Sequence, residues 1–247
     1  MAPKMKKIDT IYNEDCLVGM KDIADKSIDL VICDLPYGQT HNEWDSTIPM
    51  EPLWKEYKRV CKEDTPIILF GQGMFTANLM ISNREMWRYN LIWKKGGRTS
   101  GFLNAKRQPL RNHEDILVFY KKQPIYHPQM RLGQPLHGRG SGTHRFVNNN
   151  YGKYVESKDD RAGTTEKYPI SILDFDRPHP PIHPTQKPID LIAYLIRTYS
   201  DEGDTVLDNC MGVGTTALAA VKENRHFIGF ETNIEYYTTA NKRLNGQ

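Results

Sequence analysis

An open α/β sheet, mostly parallel and covered by helices on both faces, is the fold this sequence predicts. Three observations carry the prediction. Apolar runs without alternation, at residues 30–33, 66–70, 205–207 and 227–230, read as strands buried on both faces. Helical spacing separates them, over residues 50–61 (Leu53, Trp54, Tyr57, Val60) and 189–199 (Leu191, Ile192, Leu195, Ile196). Two strand ends open into polar or glycine-rich loops, Asp34-Leu35-Pro36-Tyr37 and Asp208-Asn209-Cys210-Met211-Gly212-Val213-Gly214. Strands alternating with helices on this scale mean an α/β sheet.

In chain order, a strand at residues 8–12 ends in Asn13-Glu14-Asp15, and a short helix is expected over 17–23. The strand at 29–33 delivers Asp34. A polar loop at 38–45, containing Trp44, leads to the helix at 50–61. The strand at 66–70 is closed by Gly71-Gln72-Gly73 and followed by a helix through Phe75, Leu79 and Met80. Residues 89–93 and 115–120 are two further strands around a glycine-rich basic loop. Residues 122–181 change character: Gly, Pro, Asn, His and Tyr dominate, and no periodicity survives. A run of this length without regular structure is usually functional. Pro188 then opens the helix at 189–199, followed by helices at 215–222 and 233–244 around the strand at 227–230. The expected organisation is one α/β domain in two halves, 1–121 and 182–247, with 122–181 inserted.

At 247 residues, 38% hydrophobic and 26% charged, the chain suits one full core and an appended region. No apolar run approaches the roughly 18 residues that span a bilayer, and Met1-Ala2-Pro3-Lys4 leads into no signal-peptide core, so a cytoplasmic location is the default expectation. Cys16, Cys33, Cys61 and Cys210 show no C-x-x-C spacing and read as buried free thiols. His179 and His183 are four apart, but Pro180 and Pro181 forbid the helix that would place them on one face, so no metal is expected. Charge is distributed unevenly. Lys94, Lys95, Arg98, Lys106, Arg107 and Arg111 fall in a stretch with no acid, and residues 94–187 total +9 against −6 elsewhere. A basic middle of this kind points to a polyanion, with Arg139 and Arg145 as further contacts.

The loop at 208–214 reads as a ligand site. Gly212 and Gly214 allow a tight turn and close approach of backbone to ligand, and the following helix start at Thr215 offers free N–H groups. Glu231 ends the next strand and can take both hydroxyls of a ribose. A lone G-x-G is weak, but this strand–loop–helix–acid arrangement points to a nucleoside-type ligand. Thr215-Thr216-Ala217 after Gly214 departs from G-x-G-x-x-G, which argues against NAD, and no Walker pattern is present. Asp208, Glu231 and Asp15 would surround the ligand with negative charge, suiting a cationic sulfonium or amine.

Asp34-Leu35-Pro36-Tyr37 resembles the D-P-P-Y signature of the amino DNA methyltransferases. Residues 208–214 resemble their D-P-F-x-G-x-G loop, and His183-Pro184-Thr185-Gln186-Lys187-Pro188 matches their H-P-T-Q-K-P segment residue for residue. With the reaction loop ahead of the cofactor loop, the order is similar to the β group. The resemblance spans nearly the whole chain outside 122–181, and the three motifs together are highly specific. It implies a Rossmann-like methyltransferase sheet, S-adenosylmethionine as cofactor, and double-stranded DNA as substrate. It also implies that the strand before Asp208 lies beside the strand before Asp34, with 122–181 and the basic loop as the target-recognition region. A second copy of the chain is a candidate partner on family likeness alone.

The chemistry the resemblance implies explains the residue types. An exocyclic amine is a poor nucleophile because its lone pair is delocalised into the base. Asp34 would accept one amine N–H and the Leu35 carbonyl the other, freeing the lone pair to meet the sulfonium methyl in line. Pro36 would fix the loop, and Tyr37 would stack on a base drawn out of the duplex. By the same likeness, His183, Thr185 and Lys187 hold the methionine part of the cofactor and Asp15 lies near its adenine. Asn209 and Cys210 stand where the family has Pro-Phe, so Met211 or Phe230 is expected to supply the wall there. Adenine N6 is favoured over cytosine N4 because position 34 is Asp rather than Ser, a cue within the family. Two rivals remain at this level: a DNA-binding protein that has lost catalysis, and a methyltransferase of RNA or of protein amides.

Overall fold

The computed structural model describes residues 5–38, 47–135, 163–182 and 185–246. Contacts divide the chain into one unit of residues 1–127 and 171–247 and another of residues 128–170. The strands in chain order are β1 (Thr10–Tyr12), β2 (Leu30–Cys33), β3 (Ile67–Gly71), β4 (Trp87–Lys94), β5 (His113–Phe119), β6 (Arg131–Leu132), β7 (Glu166–Lys167), β8 (Ile172–Asp174), β9 (Thr205–Asp208) and β10 (His226–Phe230). In the smaller unit β6 and β7 pair antiparallel, Arg131 opposite Lys167. The other eight strands form one sheet in the order β1-β10-β9-β2-β3-β5-β4-β8. Every neighbouring pair is parallel except the two made by β5, which is antiparallel to β3 and to β4. The expected mostly parallel sheet is what the chain forms.

Residues of the central strands alternate between two cores, which is why their sequences are apolar throughout. Leu30, Ile32, Ile68, Phe70, Val206 and Phe227 face one core, and Val31, Cys33, Ile67, Leu69, Leu207 and Ile228 the other. The second core is closed by α1 (Cys16–Gly19), α2 (Met50–Val60) and α3 (Met74–Ser82), and the first by α4 (Ile189–Tyr199), α5 (Thr215–Lys222) and α6 (Ile234–Leu244). The apolar faces read from the sequence are the buried ones: Leu53, Trp54, Tyr57 and Val60 in α2, and Leu191, Ile192, Leu195 and Ile196 in α4. Among the described residues no helix is long and apolar enough to cross a membrane.

The first helix differs from expectation, as do the three short strands β6, β7 and β8, which lie in the stretch 122–181 where no periodicity survives. The helix expected over 17–23 is a single turn, α1, continued by a 3-10 turn at Met20–Asp22. The Arg59 guanidinium on α2 takes the carbonyls of Met20 at 2.6 Å and Ile23 at 2.8 Å, satisfying groups a longer helix would have used. β8 has no counterpart in the sequence reading. It is three residues long with only Leu173 buried, too short for periodicity to register, and pairing with the edge of β4 is what makes it a strand.

Sheet order places the chemistry. β2 and β9 are adjacent, Leu30 opposite Val206 and Val31 opposite Leu207. This is the neighbourhood the family likeness implies for the strands before Asp34 and Asp208. From this junction the sheet extends through β3 on one side and through β10 and β1 on the other. The carboxyl ends of β1, β10, β9, β2 and β3 therefore lie along one edge, where ligands of open α/β sheets bind. β4 runs parallel to β3 across β5, so the loop after Lys94 leaves from that same edge.

Candidate active site

Along that edge lies a cavity of about 430 Å3, within the size range of small-molecule sites. Asp15, Asp34, Leu35, Pro36, Tyr37, Thr185, Lys187, Asp208, Asn209, Cys210, Gly212, Thr215 and Glu231 all line it. The two loops singled out in the sequence, more than 170 residues apart, thus bound a single space.

On the β9 side, Gly212 has φ +55 and Gly214 φ +82, both in the left-handed region that glycine occupies without strain. A Cβ on Gly214 would also fall 2.9 Å from the Cβ of Ala240, so α6 packs directly on this turn. A Cβ on Gly212 would meet nothing within 4 Å. A substitution there strains the backbone and intrudes on open space rather than on a neighbour. Glu231 accepts the backbone N–H of Gly212 at 2.8 Å and of Asn233 at 2.7 Å, fixing the turn against the end of β10. Burial raises the Glu231 carboxyl, opposed by the N–H groups of Asn233, Gly212 and Thr232. Asp208 is buried and pushed up to about 6 by that burial, with the Thr216 hydroxyl and the Cys210 N–H acting the other way. Asp15 caps α1, accepting from the N–H groups of Leu17 at 2.9 Å and Val18 at 3.1 Å.

Asn209 belongs to the loop read as a ligand site, yet its side chain is engaged elsewhere. It is 3% exposed and turned inward, its Oδ1 accepting from the Tyr57 hydroxyl and its amide donating to Cys16 and Cys210 at 3.6 Å each. It braces the loop from behind. Met211 and Phe230 both line the cavity but are 4% and 1% exposed, so each forms part of its floor. Burial pushes Cys33 up to about 12, and Cys16 is raised by its hydrogen bond to Cys210 and by burial. These thiols stay protonated, which removes them as nucleophiles.

On the β2 side, Asp34 stands at the centre of a network of charges. Its Oδ1 accepts from the Tyr37 hydroxyl at 3.0 Å and its Oδ2 pairs with the Lys187 ammonium. Lys187 also lies 3.2 Å from Glu114 on β5, and Glu114 pairs in turn with Lys95. The Lys187 ammonium sits over the Phe70 ring, 4.8 Å from its centroid. Burial raises the Asp34 carboxyl, and Lys187 counteracts it. Against the same burial, Lys187 and Lys95 hold Glu114 below its usual range, while Asp34 and Glu114 hold Lys187 above its own. Tyr37 stacks on Phe75, with ring centroids 4.6 Å apart and planes at 28°. Leu35 is 2% exposed, so its side chain anchors the loop in the core and its role at the site falls to the backbone.

The basic loop divides. Lys94, Arg98, Lys106, Arg107 and Arg111 are exposed, with Lys94 paired to Asp174 at 2.5 Å. Lys95 is not a surface cation, contrary to expectation. It is 5% exposed, because its ammonium is drawn inward to Glu114. Arg139, Arg145 and His183 lie outside the described residues. Glu114, a site residue that sequence reasoning misses, carries one faint signal: with Asp115 it ends the acid-free basic run of residues 94–111.

A family model described as DNA methylase matches residues 28–242. The chain is 27% identical over 263 residues to the type II methyltransferase M1.MboII of Moraxella bovis, covering 98% of each protein. It is 28% identical to the type II methyltransferase M.HpaI of Haemophilus parainfluenzae, over 94% of this chain and 73% of that one. The fold is similar to the crystal structure of an M1.HpyAVI–SAM complex, with a TM-score of 0.64 and 24% identity, covering 95% of this chain and 98% of the other. It is also similar to the cytosine-N4-specific PvuII DNA methyltransferase, with a TM-score of 0.70 and 16% identity over 97% and 87% of the two chains. At these identities the two structural likenesses speak to fold alone.

Proposed function

This chain belongs to the amino DNA methyltransferase family, and on that footing we propose that it moves a methyl group from S-adenosylmethionine to the N6 amine of adenine in DNA. One observation carries the reading: the loop of Asp34 and the glycine turn after Asp208 open into the same cavity. The choice of adenine rests on Asp34 itself, where the family's other branch would be expected to carry Ser.

The residues present fit this cofactor. Among the described lining residues, the carboxylates of Glu14, Asp15, Asp34, Glu114, Asp208 and Glu231 face a single ammonium, Lys187, a balance that favours a cation. Glu231, Asp208 and Asp15 would hold the nucleoside end, with the open backbone of Gly212 and the α5 start at Thr215 beside it. S-adenosylmethionine supplies a methyl carbon activated by the sulfonium charge. The protein's task is to prepare the amine. A carboxylate offers about four lone-pair positions. Tyr37 and Lys187 take one on each Asp34 oxygen, which leaves one on each for an amine N–H. With the Leu35 carbonyl accepting the second N–H, the nitrogen is pulled toward tetrahedral geometry and its lone pair is released from the ring. We assign Lys187 to holding Asp34, since its ammonium lies between Asp34 and Glu114. Preorganised charge and proximity then supply most of the acceleration.

Transfer of labelled methyl groups at rising salt tests this reading. Label should enter duplex DNA, and its kcat/KM should fall linearly with salt on logarithmic axes, by about 0.9 in slope per phosphate neutralised. Replacing Lys106 and Arg107 with alanine together should flatten the slope by roughly 2. Label entering only RNA or protein, or a flat salt profile, would contradict it.

A further inference from the structure

The basic loop carries two residues that neither the methyl-transfer chemistry nor phosphate binding uses. Phe102 and Leu103 are 76% and 86% exposed, adjacent, and flanked in sequence by the exposed cations Arg98, Lys106 and Arg107. The loop that presents them is built. Ser100 and Arg111 form an antiparallel bridge, with N–H···O distances of 2.7 and 3.1 Å in the two directions, closing the tip at residues 101–110. Below the bridge, Gly96 at φ +58 is packed so closely that a Cβ would fall 1.9 Å from the Asp176 carboxylate. Above it, Gly101 at φ +84 turns the chain into a 3-10 turn, Phe102–Asn104, which sets the two apolar side chains at the head of the tip. The base of the loop is rooted in the active site. Lys95 and Glu114, one at each stem, are paired with each other, and Glu114 reaches Lys187, which holds Asp34.

We infer that Phe102 and Leu103 form an apolar wedge that enters the DNA stack beside the target base and occupies the space the base vacates. This rests on the reading of the chain as a DNA methyltransferase. Three features meet in it. The amine to be methylated cannot reach Asp34 while its base is stacked, so something must offset the loss of stacking. Proteins that unstack duplexes insert Phe or Leu between base steps, and flanking cations hold the neighbouring phosphates. This apolar pair, flanked in sequence by cations, leaves from the same sheet edge as the Asp34 loop. An anionic lipid surface would also suit a basic loop with an apolar tip, but it gives no reason for the stems to be tied to Asp34.

The test separates opening the duplex from methylating the base. Modified-base sequencing of a treated plasmid first locates the methylated position. Two oligonucleotide duplexes are then built around it, one fully paired and one with an abasic site opposite the target, so that its base is already loosened. Phe102→Ala with Leu103→Ala should lower single-turnover methylation of the paired duplex by about 30-fold or more, and of the abasic-partner duplex by no more than about 3-fold. Phe102→Trp should stay near the parent rate on both. Equal loss on the two duplexes, no loss on either, or unchanged paired-duplex rates with lost binding to phosphatidylserine vesicles would each overturn the wedge. If the parent protein methylates neither duplex nor plasmid, the reading of the chain as a DNA methyltransferase fails, independently of the wedge.

Discussion

Asp34→Ala is expected to abolish methyl transfer while S-adenosylmethionine still binds. Each oxygen of its carboxylate is already held by a donor, Tyr37 on one and Lys187 on the other, with room for a further N–H on each. Losing a preorganised group of this kind costs roughly 10^2–10^3-fold or more in rate. Asp34→Asn is the sharper form, because it keeps the shape but removes the charge that offsets positive charge on the nitrogen. Tyr37 gives a graded comparison. The sequence alone credits only its ring, so Tyr37→Phe should be nearly silent on that view. The hydroxyl, however, donates to Asp34 at 3.0 Å. Tyr37→Phe should therefore cost about 1.5–3 kcal/mol, the range for a hydrogen bond to a charged group. Tyr37→Ala should add roughly 1–3 kcal/mol of lost base stacking. Single-turnover rates beside calorimetric cofactor affinity would check this. Full-rate transfer by Asp34→Ala would remove the mechanism, and a silent Tyr37→Phe would return Tyr37 to a purely stacking role.

Lys187→Met should be strongly destabilising. It leaves Asp34 and Glu114 near one another with only Lys95 to compensate, and the side chains of Lys187 and Glu114 are 8% and 13% exposed. Breaking a buried pair from one side costs about 3–5 kcal/mol, or on the order of 10 °C in Tm for a chain of this size. The pH dependence follows from the directions of the shifts. Without the cation, Asp34 rises further from an already raised position, and Glu114 loses the neighbour that held it low. Both then favour the neutral form in the fold. The variant's deficit should be largest at neutral pH, where both carboxyls must charge, and should shrink as pH falls and they protonate. Glu114→Gln in the same background should recover part of the loss. Calorimetric melting between pH 4.5 and 8 measures this, and a deficit that grew toward acid would show that the network is wrongly assigned.

Much of this site is legible in the sequence alone. Strand ends are marked by apolar runs giving way to Asp34 and Asp208, and helix faces by spacing such as Leu191, Ile192, Leu195 and Ile196. What a sequence does not convey is where a side chain goes once it has several partners to choose from. Lys95 looks like a surface cation and is buried, because its ammonium pairs with Glu114 on the neighbouring strand. Asn209 occupies a ligand-loop position yet turns inward, because the Tyr57 hydroxyl waits 152 residues away. The motif matches Lys187 to the cofactor, whereas its link to Asp34 depends on two distant segments meeting. These are pairings across tertiary structure, and local pattern carries no record of them. β8 escapes for a different reason, since three residues at a sheet edge have no period to detect.

The identity of the modified base tests the assignment most directly. DNA incubated with the protein and methyl-labelled S-adenosylmethionine would be digested to nucleosides and resolved by mass spectrometry. Label in N6-methyladenine, lost in Asp34→Ala, is the expected result. Label in N4-methylcytosine would contradict the assignment to adenine, and unlabelled nucleosides throughout would contradict the reading of this cavity as a DNA methylation site.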